Sequence, residues 1–401
     1  MSVRHILFVE TEGDTLQTLM RGIATSHDDW HIVRIAEADA ALELLSQRVF
    51  SVVMASFGKK QGDCEQFLRN VQGIAPAVPR FALLPGAAGA DGAMELESTC
   101  QCFPVHCPPN EIAVAIGRGI EVWLQCQDNA RLTDLFSNLR NIPTPPRLYF
   151  EIRDELNSPS GDAKSVAAIV CRDPALSAKI LKVANSGFYA VPRSVTDIRE
   201  AITFLGTDTV VTLVLASHVF TRMPVPGVDL DALWKHSLTV SAMAQQIAAQ
   251  EGGDRFTVNA AGVAGILHDI GEFILLTNVP DIYYPMIRRY AGDEAVLLAM
   301  EVEHFGVTHA QLGSYVLSLW SLPDSVVEAV ALHHDGSRHA AGTASLINKA
   351  VFAAERFLQQ ESSDCYEAGA HDEVLECCLG STREKIQDWR EACVQLLAKS
   401  I

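Results

Sequence analysis

The sequence is short of positive charge. Its 401 residues include 31 Lys and Arg against 49 Asp and Glu, which gives a formal net charge of −18 and a pI of about 5.1. Proteins that bind nucleic acid or an anionic membrane nonspecifically normally use a basic face. We therefore predict no direct nucleic-acid partner and no membrane partner.

Two further patterns are missing. The ten cysteines are scattered and contain no CxxC pair, which favours free thiols in a reducing compartment over a disulfide framework. There is no run of about 18 apolar residues, so no membrane span is predicted. The first residues, MSVRHILFVE, fit a buried strand better than a secretion signal. The expected location is the cytoplasm.

What the sequence does have is length and apolar content. A chain of 401 residues is too long for one ordinary core, and apolar residues make up 48% of it, which is enough for several cores. We predict a multidomain protein with a first domain at residues 1–125, a helical linker at 126–146 and a helical domain at 147–401.

The first of these domains alternates between short apolar runs and amphipathic segments. Strands are expected at 5–9, 30–34, 51–55, 81–84 and 102–105, and helices at 14–24, 36–47 and 111–123. Such regular alternation predicts a doubly wound α/β domain.

Helical periodicity dominates the rest of the chain. The proline-rich residues 141–146 end a segment at 111–140 that is predicted as one long helix or two, because proline disfavours helix at and before its position. Beyond them we predict an all-α domain, with a helix that begins at Asp173-Pro174, a single helix at 257–276 and helical structure at 372–399.

The sequence GVAGILHDIGEFILL at residues 262–276 carries the main chemical signal. It is apolar almost throughout, yet His268 and Asp269 stand in its middle, and a buried pair of this kind needs a metal ion or a hydrogen-bond network to satisfy it. Four more histidines, His236, His309, His333 and His334, lie on or beside other amphipathic segments. Helical bundles build interior metal sites from side chains on facing helices, so these six residues form a candidate site.

The first domain resembles the response-regulator receiver domain, which has a flavodoxin-like fold. In that family, carboxylates after strand one hold Mg²⁺ and an Asp at the end of strand three accepts a phosphoryl group. Here strand one ends at Glu10, but strand three is expected to end at Ala55, whose methyl group cannot attack phosphorus. Leu84 and Cys107 replace the family's switch hydroxyl and lysine. The resemblance implies a pseudo-receiver that docks or forms a homodimer.

The second half resembles the HDOD domain, a branch of the HD phosphohydrolase superfamily. The resemblance covers about residues 130–360 and rests on an ordered set of phrases: IPTPPR, RDPALSAKILKVANSGFY, AITFLG, LWKHS, GILHDIGE, EHFGVTHAQLGSYVL and ALHH. Hydrolases of the superfamily bind metal through a His, a His-Asp pair and a later Asp, and the metal activates a water molecule. By resemblance His236, His268 and Asp269 match the first three, and His309, His333 and His334 match extra histidines of the HD-GYP phosphodiesterases.

Several expected groups are replaced. Ala350 stands where the later Asp is expected, Ala232 where a further acidic ligand is expected, and Glu272 where HD enzymes have a phosphate-facing Lys. The GYP signature after His333-His334 is missing. The retained donors are mostly imidazoles, which suit iron, zinc, nickel or manganese better than calcium or magnesium.

These features support two functions. The first is a bacterial-type signalling protein without catalysis of its own, in which the HDOD module binds a protein partner or a regulatory nucleotide. The alternative is a metal-dependent phosphohydrolase that acts on a nucleotide or a cyclic dinucleotide. The lost carboxylates and Lys favour the first, and the retained histidines favour the second.

Overall fold

The structure is a computed structural model that describes residues 4–11, 29–57, 61–84, 101–104, 107–139, 145–159, 161–186, 194–221, 228–290, 293–336, 344–361, 375–376, 379 and 381–400. The chain forms two compact units. The first consists of Met1–Pro145, Ile274–His309 and Tyr315–Leu322, and the second of Pro146–Phe273, Ala310–Ser314 and Pro323–Ile401. The division at residues 125 and 147 expected from the sequence stays a prediction.

A parallel sheet forms the centre of the N-terminal α/β region. Its strands are β1 Arg4–Glu10, β2 Trp30–Ile35, β3 Val52–Ser56, β4 Arg80–Leu84 and β5 Gln101–Pro104. They lie in the order β2-β1-β3-β4-β5, and every pairing is parallel. Because β1 and β3 are covered on both faces, they are apolar runs and not alternating ones. The α/β prediction with a parallel sheet is confirmed.

Helices cover both faces of this sheet. The region contains α1 Ala38–Gln47, α2 Gln61–Ile74, α3 Pro109–Asp128 and α4 Ala130–Asn138. Alternate strand residues form two cores: one includes Leu45 of α1 and Phe67 of α2, and the other includes Ile112 and Ile116 of α3. The helix predicted at 14–24 lies outside the described residues.

The end of β3 differs from the prediction. The strand was expected to end at Ala55, but it continues to Ser56, which pairs with Glu10 and accepts a hydrogen bond at its carbonyl from the Thr11 N–H. The side chain at the strand end is therefore a buried hydroxyl and not a methyl group. The Glu10 carboxylate beside it is buried and accepts a hydrogen bond from Arg34 Nη2 at 3.0 Å.

The segment predicted as one long helix or two is two helices. Asn129 separates α3 from α4 and caps α4, because its side-chain oxygen accepts a hydrogen bond from the Leu132 N–H at 3.1 Å. Its amide nitrogen donates to the Gly306 carbonyl at 2.8 Å, which fixes the turn within the first unit.

Among the described residues after Pro145, every regular element of secondary structure is a helix. The helices are α5 Arg147–Asn157, α6 Ala163–Val170, α7 Pro174–Ala184, α8 Ile198–Leu205, α9 Thr207–Thr221, α10 Leu230–Gln250, α11 Arg255–Leu267, α12 Ile270–Asn278, α13 Pro280–Tyr290, α14 Glu294–Phe305, α15 His309–Leu319, α16 Asp324–Leu332, α17 Leu346–Glu361 and α18 Arg383–Ser400.

Two predicted helix ends can be compared with these bounds. Asp173 caps α7 as predicted, since its carboxylate accepts from the Ala175 and Leu176 N–H groups and Pro174 is the first helical residue. The C-terminal helix begins at Arg383, while residues 372–374, 377–378 and 380 of the predicted segment lie outside the described part of the chain.

Within the described residues, the helical stretch Arg255–Asn278, which spans α11 and α12, is long and apolar enough to cross a membrane by length and composition, with a mean hydropathy of 1.4 over its most apolar window. However, 83% of its most apolar window is buried within the protein, so other helices already cover its apolar surface.

Candidate metal centre

A close approach of two helices begins the site. A Cβ atom at Gly265 of α11 would lie only 2.6 Å from Ser241 Cα of α10, so the two backbones can approach this closely only because residue 265 is glycine. The contact brings α10, which carries His236, beside the end of α11.

The predicted single helix at 257–276 is wrong. Helix α11 ends at Leu267 and α12 begins at Ile270, so His268 and Asp269 lie at the junction. The cause is local: the His268 side chain donates from Nδ1 to the Gly265 carbonyl at 2.8 Å, and this carbonyl would otherwise accept from the backbone N–H of residue 269.

His333 repeats this arrangement at the end of α16. It follows Leu332 directly, and its Nδ1 donates to the Val330 carbonyl at 2.7 Å. A carbonyl oxygen can only accept, so Nδ1 carries the proton in both His268 and His333. In the neutral ring, Nε2 then keeps its lone pair for a cation, and the backbone holds the ring orientation.

Three of the predicted residues form a triangle of possible ligand atoms. His236 Nε2 lies 3.2 Å from His268 Nε2 and 3.4 Å from Asp269 Oδ2, and His268 Nε2 lies 3.0 Å from the same oxygen. His268 is completely buried, whereas the side chains of His236 and Asp269 are 29% and 19% exposed. The cluster is therefore accessible along its His236–Asp269 edge.

The histidine pair after α16 belongs to the same unit. His333 Nε2 lies 3.4 Å from Asp269 Oδ1, and the His333 ring meets the His268 ring edge to face at 5.1 Å between centroids. The ring centroid of His334 is 3.9 Å from that of His333. The structure thus brings His236, His268, Asp269, His333 and His334 together.

A carboxylate that the sequence analysis missed also lies in this cluster. Glu355 of α17 is buried, and its Oε2 lies 3.2 Å from His236 Nε2 and 3.3 Å from His268 Nε2. The sequence contained a signal that Glu355 is buried, because it lies seven residues after Asn348 and therefore on the same face of the helix. Asn348 is itself buried.

The sixth predicted residue, His309, belongs to the first unit, where it meets a second missed carboxylate. Glu301 of α14 is buried and accepts hydrogen bonds from His309 Nδ1 at 2.8 Å, the His309 backbone N–H at 2.8 Å and the Tyr283 hydroxyl at 2.6 Å. Glu301 lies four residues from each of the buried residues Leu297 and Phe305, which placed it on the buried face. It holds the His309 ring through Nδ1, and ligation by His309 stays a prediction.

The carboxylates of the cluster stabilise a proton or another cation on or beside its histidines. Burial opposes protonation of His236, but the carboxylates of Asp269 and Glu355 outweigh it and raise the pKa of His236 to about 9. The pKa of His268 is also raised, against burial, by Asp269 and then Glu355. Burial would raise the pKa of Asp269 and Glu355, yet the neighbouring histidines hold both well below their usual range.

His333 behaves in the opposite way. Burial and the adjacent His334 lower the pKa of His333 to about 3, so its imidazole is neutral at physiological pH. Since Nδ1 is bonded to a carbonyl, its Nε2 has a lone pair that faces Asp269.

A divalent metal ion fits this donor set. Each of the Nε2 atoms of His236 and His268 has three donor or acceptor atoms within 3.4 Å, but one ring N–H can serve only one of them. Metal–ligand bonds of about 2.0–2.1 Å place neighbouring ligand atoms about 3.0 Å apart in octahedral and about 3.4 Å apart in tetrahedral geometry. The separations within the His236–His268–Asp269 triangle are 3.0–3.4 Å.

The replaced positions can also be located. Ala350 is completely buried on α17, and Ala232 is exposed in the first turn of α10. Glu272 is half-buried in the first turn of α12, where the helix N-terminus favours negative charge. The loss of a carboxylate at Ala350 does not leave the cluster with Asp269 alone, because Glu355 is present.

Comparison with known proteins agrees with the helical architecture. Residues 142–336 match the family model described as the HDOD domain. This part of the chain is an HDOD domain. It contains His236, His268, Asp269, His309, His333 and His334, whereas Glu355 lies beyond its end.

Three other proteins are similar to this chain. An uncharacterized protein of Treponema pallidum (strain Nichols) is 22% identical over 251 residues; the match covers 62% of this chain but only 48% of that relative. A crystal structure from Shewanella amazonensis SB2B, provisionally named a phosphohydrolase, is 24% identical with a TM-score of 0.51 and covers 68% of this chain and 99% of that one.

The third, from Marinobacter aquaeolei VT8, is provisionally named a signal transduction protein. It is 16% identical with a TM-score of 0.50, and the match covers 82% of this chain and 79% of that one. At these identities the two structures establish a shared fold and nothing about activity.

Proposed function

We propose that this chain is a signalling protein whose HDOD domain holds a transition metal ion and acts by binding a protein partner or a regulatory nucleotide. One observation carries the metal: the Nε2 atoms of His236 and His268 and Oδ2 of Asp269 lie within 3.4 Å of one another. Iron, zinc, nickel and manganese suit these donors best. When bound, such an ion would tie α10 to the α11–α12 junction.

The low solvent exposure of the cluster supports binding without hydrolysis. A hydrolytic metal must offer an open position to water and to the substrate. Here His268 and His333 are completely buried, and His236, Asp269 and His334 are only partly exposed. Glu272 places a carboxylate where the family resemblance expects a phosphate-facing cation.

The α/β region supports a docking role. Its strand order is that of flavodoxin-like folds, which include receiver domains. However, β3 ends in Ala55 and Ser56 and offers no carboxylate acceptor, and Glu10 is already paired with Arg34. We propose a non-phosphorylatable pseudo-receiver that binds a partner or a second copy of this chain.

The metal is tested by elemental analysis of full-length protein without a histidine tag, before and after dialysis against zinc, iron, nickel or manganese. We expect about one ion per chain, reduced at least about tenfold in affinity by His268→Ala. The matched control is His304→Ala, because His304 is exposed and its ring nitrogen contacts the Met300 carbonyl. Wild-type protein that binds none of these metals would refute the proposal.

A metal-dependent phosphohydrolase is the second candidate. The observation that favours it is the solvent-accessible His236–Asp269 edge of the cluster. Metal-loaded protein should be assayed on a panel of nucleotides and cyclic dinucleotides. We expect no turnover; turnover that His268→Ala abolishes and His304→Ala retains would establish the hydrolase instead.

A further inference from the structure

Helix α14 has one buried face and one exposed face. The buried face carries Leu297, Glu301 and Phe305, each four residues after the previous one. On the opposite face Ala299 is exposed. The positions three and four residues away surround it on the helix surface. All four are exposed: Ala295, Val296, Val302 and Glu303. These five residues form one continuous surface, the Ala299 patch.

The Ala299 patch is apolar except for Glu303. The side chains of Val296 and Val302 are 37% and 45% exposed, and they lie three residues before and after Ala299. Single exposed apolar residues are common on protein surfaces, but here four of them adjoin one another. Because Ala299 is small, the backbone of a second helix can approach it closely between the two valines. The shape of the patch therefore fits another helix.

The patch is symmetric about Ala299. If two copies of α14 pair antiparallel about a two-fold axis through this residue, each position before it faces the corresponding position after it in the other copy. Val296 then faces Val302 of the second copy, and Ala295 faces the methylene groups of Glu303. Parallel pairing would instead bring Glu303 against its own counterpart. Antiparallel pairing also aligns the helix dipoles favourably.

Charges at the two ends of α14 complement each other in the same arrangement. Asp293 caps the N-terminus of α14, and Arg288 and Arg289 are exposed at the end of the preceding helix. At the other end Glu303 is exposed, and Arg131 contacts a carbonyl in the last turn of α14. Antiparallel pairing brings Glu303 towards the two arginines and Arg131 towards Asp293. Such local attraction is needed, because a net charge of −18 otherwise opposes self-association.

We propose that the Ala299 patch is a homodimer interface in which α14 packs antiparallel against α14 of a second copy of this chain. The proposal goes beyond the docking role of the α/β region, because α14 lies within residues 142–336. It does not depend on the metal. One helix pair buries less surface than a standard interface, so the dimer is reversible, with a dissociation constant on the order of 10 µM.

The dimer is tested by sedimentation velocity of the full-length protein at concentrations below and above that value. Ala299→Glu places two carboxylates against each other at the axis, and we expect it to raise the dissociation constant at least about 100-fold. The matched control is Ala178→Glu, because Ala178 is exposed in the middle of α7. It should dimerise as the wild type does. Circular dichroism should show the same helix content in all of these proteins.

The symmetry of the interface is tested by mixing two variants. Ala299→Glu and Ala299→Arg should each be monomeric, but an equimolar mixture should form a heterodimer, because residue 299 meets its own counterpart only at a two-fold axis. A mixture that stays monomeric would overturn the antiparallel pairing. A monomeric wild type, or a dimer that Ala299→Glu leaves intact, would overturn the interface. Neither result bears on the metal site, because elemental analysis measures that site separately.

Discussion

At the scale of single residues, a histidine ring N–H replaces a backbone N–H as the hydrogen-bond donor to a helix carbonyl. His268 and His333 each bond to the carbonyl three residues earlier and end a helix, which leaves Nε2 directed to the interior. The sequence indicated that these histidines belong to one site. It did not indicate the break, because an apolar run of helical periodicity gives no sign of a side chain that competes for a main-chain carbonyl.

The close backbone contact between α10 and α11 predicts what a substitution of Gly265 does. Gly265→Ala places a Cβ 2.6 Å from Ser241 Cα, so α10 and α11 must separate and carry His236 away from His268. We expect a loss of about 1–3 kcal/mol in the free energy of unfolding and a lower metal content. Chemical denaturation and elemental analysis measure both.

Gly73→Ala is the control for that substitution. Gly73 also lies in a helix, but an added Cβ there meets nothing within 4 Å, so we expect a neutral effect or a gain of up to about 1 kcal/mol. Equal effects at Gly73 and Gly265 would mean that close packing does not set the geometry of the site.

Protonation of His236 makes a prediction for the metal-free protein. The pKa of His236 is raised to about 9 from 6.5, so its stabilising contribution is complete below pH 6.5 and is lost as the pH rises towards 9. A metal ion must displace this proton. Calorimetric titration with zinc at about pH 7.5, in buffers of different ionisation enthalpy, should therefore reveal proton release. Binding enthalpies that do not depend on the buffer would contradict it.

At the scale of elements, β3 carries a prediction about phosphorylation. Its last residues, Ala55 and Ser56, offer no carboxylate, and Glu10 of β1 is engaged by Arg34. Incubation with acetyl phosphate and Mg²⁺ should leave the intact mass unchanged. An adduct that is labile at alkaline pH, as acyl phosphates are, would refute the pseudo-receiver.

Strand and helix order could be predicted from the sequence, while the polar contacts between elements could not. The five strands were placed within two residues because buried parallel strands are short apolar runs flanked by amphipathic helices. Glu355 and Glu301 were missed because a single acidic residue on an apolar helical face does not indicate a site until its partner is known. That partner is the His236–His268 pair in one case and His309 in the other, and both are distant in sequence.

At the scale of the whole molecule, the chain passes several times between the two compact units. The chain passes from one compact unit to the other after Pro145, Phe273, His309, Ser314 and Leu322. Two helices, α12 and α15, contain such crossing points, so each contributes residues to both units. The HDOD match at 142–336 likewise includes residues from both. A unit that shares helices with another cannot unfold without disrupting them.

This connectivity predicts how metal removal acts on the full chain. Because a metal ion that binds only the folded state stabilises it by about 2.7 kcal/mol at a hundred times its dissociation constant, a chelator should lower the melting temperature. We expect differential scanning calorimetry to show one transition that moves as a whole with zinc concentration, and His304→Ala to move in parallel with the wild type. A separate transition that does not respond to the chelator would instead mean that residues 1–125 fold independently, as the sequence-based division predicts, and that the metal stabilises the helical part alone.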